Sequence, residues 1–391
     1  MSNDGPPLKL FIVAGEHSGD LHAANLARNI KQLEPDTVLD GLGGPRMAEA
    51  GVRLHRNMLD MAIMWFGKIH NHLGDIFRIR KEVLDWMDQN RPDAVVLVDF
   101  PGFNLYLARH LRKRRMTVIY YMAPQLWAWA PWRIRKLRKR VSHMLVALPF
   151  EEEYFKSRGM PTTYVGHPLF DHLGSVKIEN GLRGELRVKS GEKLLVMLPG
   201  SRAQEIEKNL PLMLKTLALL GGRLKEIRAV VAVKKERREM VESILRNSTG
   251  KVDVVYERSL DAIAAADAVL TASGTATLEV LHFLKPMVVL YRVSPFSRLL
   301  SHIFMRTPCI AMVNLLAGRR IVPEMLTAFD RPAKLAAEVY KILTDEEARG
   351  TMISELAKLR RRLEVPGAIE NAAREVLRLA REKPLPPQAA P

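Results

Sequence analysis

Cysteine is almost missing from this chain. Cys309 is its one thiol in 391 residues, which excludes an internal disulfide framework and fits a reducing cytoplasm. Long uncharged apolar runs are missing too. The opening "MSNDGPPLKLFIVAG" has no basic region ahead of a long apolar one, and "LKLFIVAG" is too short for a signal or spanning helix. It reads as a buried strand, and no transmembrane segment is expected. Neither GxxxxGK[ST] nor GxGxxG occurs, so a bound nucleotide would be held in another manner. There is no DxD, hence no obvious carboxylate clamp for a nucleotide-bound metal. The 11 histidines form no HExxH or other compact ligand set. No metal and no cofactor are expected.

The most local absence is of acid. Between Phe100 and Phe150 the chain has eleven Lys and Arg and no Asp or Glu, and this segment supplies most of the net charge of +17. A concentrated basic field attracts polyanions or an anionic bilayer, whereas charge for solubility would be spread along the chain. Within it, "APQLWAWAPWRIRKLRKR" (123–140) sets three of the five tryptophans beside six basic side chains. Trp127 and Trp129 suit a buried core as well as an interface.

What is present is an α/β pattern. In the first half "LKLFIVAG", "DAVVLVDF", "TVIYYMAP", "HMLVALPF" and "TTYVGHP" read as strands, with amphipathic segments such as "DLHAANLARNIKQL" between them. Apolar runs without polar alternation suit parallel strands covered on both faces. "SVKIENGLRGELRVKSGEK" reads as a linker. The pattern then restarts with "KLLVMLPG", "RAVVAV", "VDVVYE", "AVLTASG" and "PMVVLYRV". Two successive doubly wound units are expected, 1–172 and 190–344. Helices at about 345–383 precede a Pro-rich tail.

Ligands bind beyond the carboxyl ends of strands in such sheets, so the strand-to-helix turns are the candidate sites. In "VAGEHSGDLHA", Gly15 and Gly19 relax the backbone, Ser18 or Asp20 suits a cap for the following helix, and Glu16 is not explained by capping. In "MLPGSRAQEIEK", Gly200 and Ser201 are placed to offer N–H groups to phosphate oxygens, with Arg202 as a fixed cation. In "VLTASGTATLEV", Ser273, Gly274 and Thr275 suit a diphosphate, and Glu279 suits ribose hydroxyls. Asp99 ends a strand in "VLVDFPGFN" and is a candidate acid–base group. Capped turns would explain each of these residues singly.

Together, "AGEHSGDLH", "GLGGPRM", "VDFPGFN", "YYMAPQLWAWAPWRIRK", "LPFEEEYF", "VGHPL", "LPGSRAQEI", "ASGTATLEV", "YRVSPF" and "NLLAGRRIVPEML" resemble the lipid A disaccharide synthase family, in the family's order from Ala14 to about Leu326. The resemblance implies the GT-B architecture: two Rossmann-like domains facing a cleft, with the C-terminal helices returning to the first. It implies transfer from UDP-2,3-diacylglucosamine to 2,3-diacylglucosamine 1-phosphate, giving a β-1,6 disaccharide 1-phosphate and UDP with inversion. It implies UDP on the second domain, at Ser201, Arg202, Ser273, Gly274, Thr275, Glu279 and Asn314. Asp99 becomes the candidate base, with Glu16 and Ser18 across the cleft. A cytoplasmic enzyme docked peripherally on the inner membrane follows, with no nucleic acid partner.

Two departures stand out. Many members have a small residue where His17 stands, and after Asp60 many read close to "MGIVEVL" where this chain reads "MAIMWFGKIHNHLGDIF". The second change falls on a segment that the resemblance assigns to the acyl-facing surface, with "MWF" at 64–66 as an apolar insert. The rival enzyme is another GT-B protein acting on a UDP-sugar, such as a 2-epimerase. A nucleic-acid-binding protein would explain the charge but not three phosphate-type turns at strand ends.

Overall fold

Apolar residues in unbroken runs need cover on both sides, and the computed structural model shows how they get it. It describes residues 6–59, 73–124, 126–129, 131–224, 226–246, 248, 252–293 and 309–382, with side chains for all of these but 73–77, 128 and 129. The "MWF" segment lies outside the described residues. The chain divides into two units, Met1–Asp171 with Glu364–Pro391, and His172–Leu363.

The first unit holds β1 (Lys9–Ala14), β2 (Val38–Gly43), β3 (Arg53–Asn57), β4 (Ala94–Val98), β5 (Thr117–Tyr121), β6 (His143–Val146) and β7 (Thr162–Tyr164). They form one parallel sheet in the order β3-β2-β1-β4-β5-β6-β7. Successive side chains alternate between two cores. Phe11, Val13, Val95, Leu97, Val118 and Tyr120 pack with the helices Leu73–Asn90 and Pro101–Lys113. Leu10, Ile12, Val96, Val98, Ile119 and Tyr121 pack with the helices His17–Leu33 and Ala368–Arg381. Each buried Leu, Ile or Val contributes roughly 1.5–3 kcal/mol over leaving it exposed.

The second unit holds β8 (Lys193–Leu198), β9 (Ile227–Val233), β10 (Asp253–Tyr256), β11 (Ala268–Ala272), β12 (Met287–Arg292) and β13 (Glu324–Thr327), again parallel, in the order β10-β9-β8-β11-β12-β13. The ten strands expected from apolar runs are all strands. The other three, β2, β3 and β13, are polar, glycine-broken or short.

Two boundaries differ from expectation. The helix Glu346–Leu363 belongs to the second unit, because its buried Met352, Leu356, Leu359 and Leu363 lie there and Arg360 donates to the His282 carbonyl at 2.7 Å. Only the helix Ala368–Arg381 lies in the first. Its alanines 372 and 373 share a core with Ala23, Ala24 and Ala27, and the Asp171 carboxylate accepts the N–H groups of Gly367 and Ile369, both at 2.9 Å. The stretch read as a linker is packed in place: Arg183 binds Asp267 and the Ala265 and Glu192 carbonyls, and Glu179 N–H donates to Asp261.

The basic-aromatic segment splits in its roles. Trp127 is a core residue whose indole N–H donates to the buried Glu151 carboxylate at 3.0 Å, and Glu151 also accepts the Leu148 N–H. Trp132 is 63% exposed. Burial pushes the Glu151 carboxyl up to about 7, against the pull of its hydrogen bonds. A raised carboxyl favours the fold while protonated, so this contribution is full below the ordinary glutamate range and is lost as pH rises through about 7. Glu151→Gln removes the titration but leaves one acceptor oxygen where the carboxylate uses two, Oε1 for Trp127 and Oε2 for Leu148. We expect its melting temperature to change less than the parent's between about pH 5 and about pH 8, and to be lower at the acid end, where a buried N–H has lost its acceptor. Parallel pH dependences would show that Glu151 is not the titrating group.

Candidate active site

Crossovers that leave a parallel sheet in opposite directions open a gap at the carboxyl edge. In the first unit the gap lies where β1 and β4 pair side by side, with Ala14 opposite Val98. Glu16 follows β1 and Asp99 follows β4, so adjacent strands deliver both carboxylates to one edge. Glu16 is partly buried, and His17 and Ser18 are exposed at the start of the helix His17–Leu33. Asp20, expected as a candidate cap for that helix, instead accepts the N–H groups of Gly44, Arg46 and Met47 and caps the helix Pro45–Glu49.

Asp99 and Phe100 both have left-handed backbones, φ 47° and 46°. Two such non-glycine residues in succession cost energy and persist only when held. Here the Asp99 carbonyl accepts the Tyr120 hydroxyl at 2.6 Å and the Asn104 amide at 2.7 Å, while its N–H donates to the Tyr121 carbonyl at 3.2 Å. Asn104 is fully buried and also donates to the Val98 carbonyl. Gly15 completes the clamp, since a Cβ there would lie 2.2 Å from the Phe100 ring. The Asp99 side chain is partly buried, and that burial pushes its carboxyl up despite a hydrogen bond from the Phe100 N–H. Burial is the largest cause of that shift, and no cation among the described residues contributes to it.

The second unit repeats the arrangement at β8 and β11, which pair with Leu198 opposite Thr271. After β8, Gly200 has φ 125°, and Arg202 is the N-cap of the helix Ala203–Gly221. The N–H groups of Ser201 and Arg202 point into the Glu205 carboxylate at 3.1 and 3.4 Å, and the Arg202 guanidinium lies 3.3 Å from it. Of the expected Gly200 and Ser201 N–H pair, the Ser201 N–H is therefore already taken, while the Ser201 hydroxyl and the largely exposed Arg202 head stay available to a phosphate. After β11 come Ser273, Gly274 at φ 140° and Thr275, then the helix Ala276–His282 carrying Glu279. The Ser201, Ser273 and Thr275 hydroxyls and the Glu279 carboxylate make no side-chain hydrogen bond among the described residues. Burial alone raises the Glu279 carboxyl.

Asn314 differs from expectation. It is fully buried; its Oδ1 accepts from Ile321 and Val322, and its Nδ2 donates to Val322 and Glu324. An amide has no more capacity than that, so the Asn314 side chain fastens its loop and has no group left for a nucleotide. Glu324 serves the same loop, accepting the N–H groups of Ile310 and Ala311.

Residues 10–379 match the family described as Lipid-A-disaccharide synthetase. The lipid-A-disaccharide synthase of Syntrophus aciditrophicus is 34% identical over 95% of this chain and 98% of its own. That of Myxococcus xanthus is 35% identical over the same shares. The chain belongs to the lipid-A-disaccharide synthetase family. It is therefore a glycosyltransferase of lipid A biosynthesis. Solved structures show the fold: an S. aureus MnaA-UDP complex has a TM-score of 0.63 at 13% identity over 96% of this chain and 99% of that one. A Neisseria meningitidis UDP-GlcNAc 2-epimerase bound to UDP-GlcNAc has 0.59 at 12% identity over 95% and 99%. The epimerase alternative thus shares architecture with the family but not its sequence.

Sequence reasoning missed Asn104, Tyr120 and Glu205. Asn104 was legible only as the last letter of "VDFPGFN", and Tyr120 read as a strand residue. The clamp is testable by two glycines. Gly15→Ala should displace the Phe100 ring and cut turnover, while Gly102→Ala, whose Cβ meets nothing within 4 Å, should be near neutral. Equal turnover in the two variants would show that the Gly15–Phe100 contact does not matter.

Proposed function

We infer that the chain joins UDP-2,3-diacylglucosamine to 2,3-diacylglucosamine 1-phosphate, releasing UDP and forming the β-1,6 disaccharide 1-phosphate. The observation that carries this is the family match along nearly the whole chain, combined with polar residues at both sheet gaps. The acceptor 6-hydroxyl is a poor nucleophile until its proton has somewhere to go. Asp99 takes that proton as the hydroxyl oxygen attacks the donor C1 from the face opposite UDP, which inverts the anomeric centre. Burial makes the carboxyl a stronger base than an exposed aspartate. Glu16 and Ser18, at the same sheet edge, contact the acceptor side. Arg202 and the hydroxyls of Ser201, Ser273 and Thr275 bind the diphosphate and stabilise its charge as it leaves. Glu279 accepts the ribose hydroxyl protons. The enzyme works in the cytoplasm against the inner membrane: no helix among the described residues is long and apolar enough to cross a bilayer, and the acid-free basic segment supplies attraction to one.

Asp99 and the nucleotide residues lie in different units, so proton removal and UDP binding are separable by mutation. Asp99→Asn should lower turnover by about 10²–10⁴-fold and leave UDP affinity unchanged. Because a raised carboxyl opposes folding once ionised, the variant should melt no lower than the parent at neutral pH. Unchanged turnover would acquit Asp99, and loss of UDP affinity with loss of fold would make it structural.

Arg202→Ala should do the reverse, weakening UDP binding by about tenfold or more with the fold intact, as a charge-assisted contact is lost. Normal UDP affinity in that variant would remove Arg202 from the site. Parent turnover should fall as pH drops through a value above the ordinary aspartate range, since the base must be ionised to act. A limb at or below that range would exclude a buried carboxyl as the base.

A further inference from the structure

The Pro131–Arg133 turn and the helix Ile134–Arg138 leave a cavity of about 630 Å³ that holds none of the residues assigned to the reaction above. Its floor is the buried Ile134 and its rim is the exposed Trp132. Its remaining wall holds Arg135, Arg138, Lys139 and Arg158, and no lining residue is acidic. None of the four cations forms an ion pair among the described residues. Two are nonetheless held in place. Arg158 lies 3.9 Å over the Tyr154 ring and donates to the Tyr154 carbonyl at 2.9 Å, and Arg138 donates to the Arg158 carbonyl at 3.4 Å. Carbonyl partners orient a guanidinium without cancelling its charge.

We propose that this cavity is a binding site for the phosphate of an anionic membrane lipid. The inference rests on the membrane docking inferred above and names the residues that perform it. Four converging cations with no counter-carboxylate call for a phosphate, and guanidinium groups match its oxygens. The cavity exceeds one phosphate, and a free ion would leave Trp132 and Ile134 without a role. An indole beside cations suits the bilayer interface, where an apolar ring carries one polar N–H. A nucleic-acid groove would show a series of exposed aromatics along a basic track, and among the described residues of this segment one such ring, Trp132, is exposed.

The test is co-sedimentation of the full chain with phosphatidylcholine vesicles, with and without phosphatidylglycerol, alongside turnover on detergent-dispersed substrates. The parent should bind only the phosphatidylglycerol vesicles. Arg135→Gln with Lys139→Gln should weaken that binding by about 10–30-fold, from the loss of two surface cations. Trp132→Ser should weaken it as well, and both variants should keep the parent's melting temperature, turnover and acceptor KM in detergent. Inorganic phosphate should compete no better than sodium chloride at equal ionic strength. If the parent binds and the variants bind equally, the cavity is not the site and membrane docking stands on other residues. If the parent ignores phosphatidylglycerol, the docking reading itself fails. A raised acceptor KM in detergent would make this a substrate site, stronger competition by phosphate a free-anion site, and tighter capture of a single-stranded oligonucleotide a nucleic-acid site; each overturns the proposal.

Discussion

A parallel sheet can expose polar backbone edges without unravelling at only a few places, and the gap between two oppositely wound crossovers is one of them. Both units are organised around that constraint. β1 and β4 in the first, and β8 and β11 in the second, are central, apolar and covered on both faces, so they cannot move. Whatever follows their last residue is fixed in position by a core that tolerates no adjustment. Glu16, Asp99, Arg202 and Ser273 all occupy such places. On the proposed function, the chemistry is carried by short turns whose precision comes from strands.

The turns themselves carry cost. Asp99 and Phe100 sit in left-handed backbone that L-residues avoid, and the Tyr120 hydroxyl, the Asn104 amide and the side-chain-free face of Gly15 hold them there. Burial raises the carboxyls of Asp99 and Glu279. Glu205 lies in a different setting: its carboxylate accepts the N–H groups of Ser201 and Arg202 just ahead of its helix and pairs with the Arg202 guanidinium. On the proposed function, a nucleotide phosphate arriving at Arg202 competes with that pair.

Much of this was legible in the sequence, for reasons that can be traced to particular segments. Strands buried on both faces write themselves as unbroken apolar runs, which is why β1, β4, β5 and β8 were plain. β2 carries Asp40 and two glycines within six residues, and β3 alternates like a half-exposed edge, so neither carries that signal. The strand-end turns stood out by their glycines and hydroxyls. Their supporting residues did not, because nothing in the letters Asn104 or Glu205 says which backbone group the side chain will reach. Asn314 was misjudged for the same reason: its four bonds are made to residues seven to ten positions away, and only the folded loop shows that none is left over. The basic-aromatic segment was a mixture that composition could not separate. Trp127 sits against Glu151 in the core, while Trp132 stands in the open.

The account turns on one bond being made. Purified protein incubated with UDP-2,3-diacylglucosamine and 2,3-diacylglucosamine 1-phosphate should release UDP in step with a disaccharide 1-phosphate, and NMR of the new linkage should show the β configuration. UDP-sugar epimerised at C2, UDP released without disaccharide, or an α linkage would each contradict it.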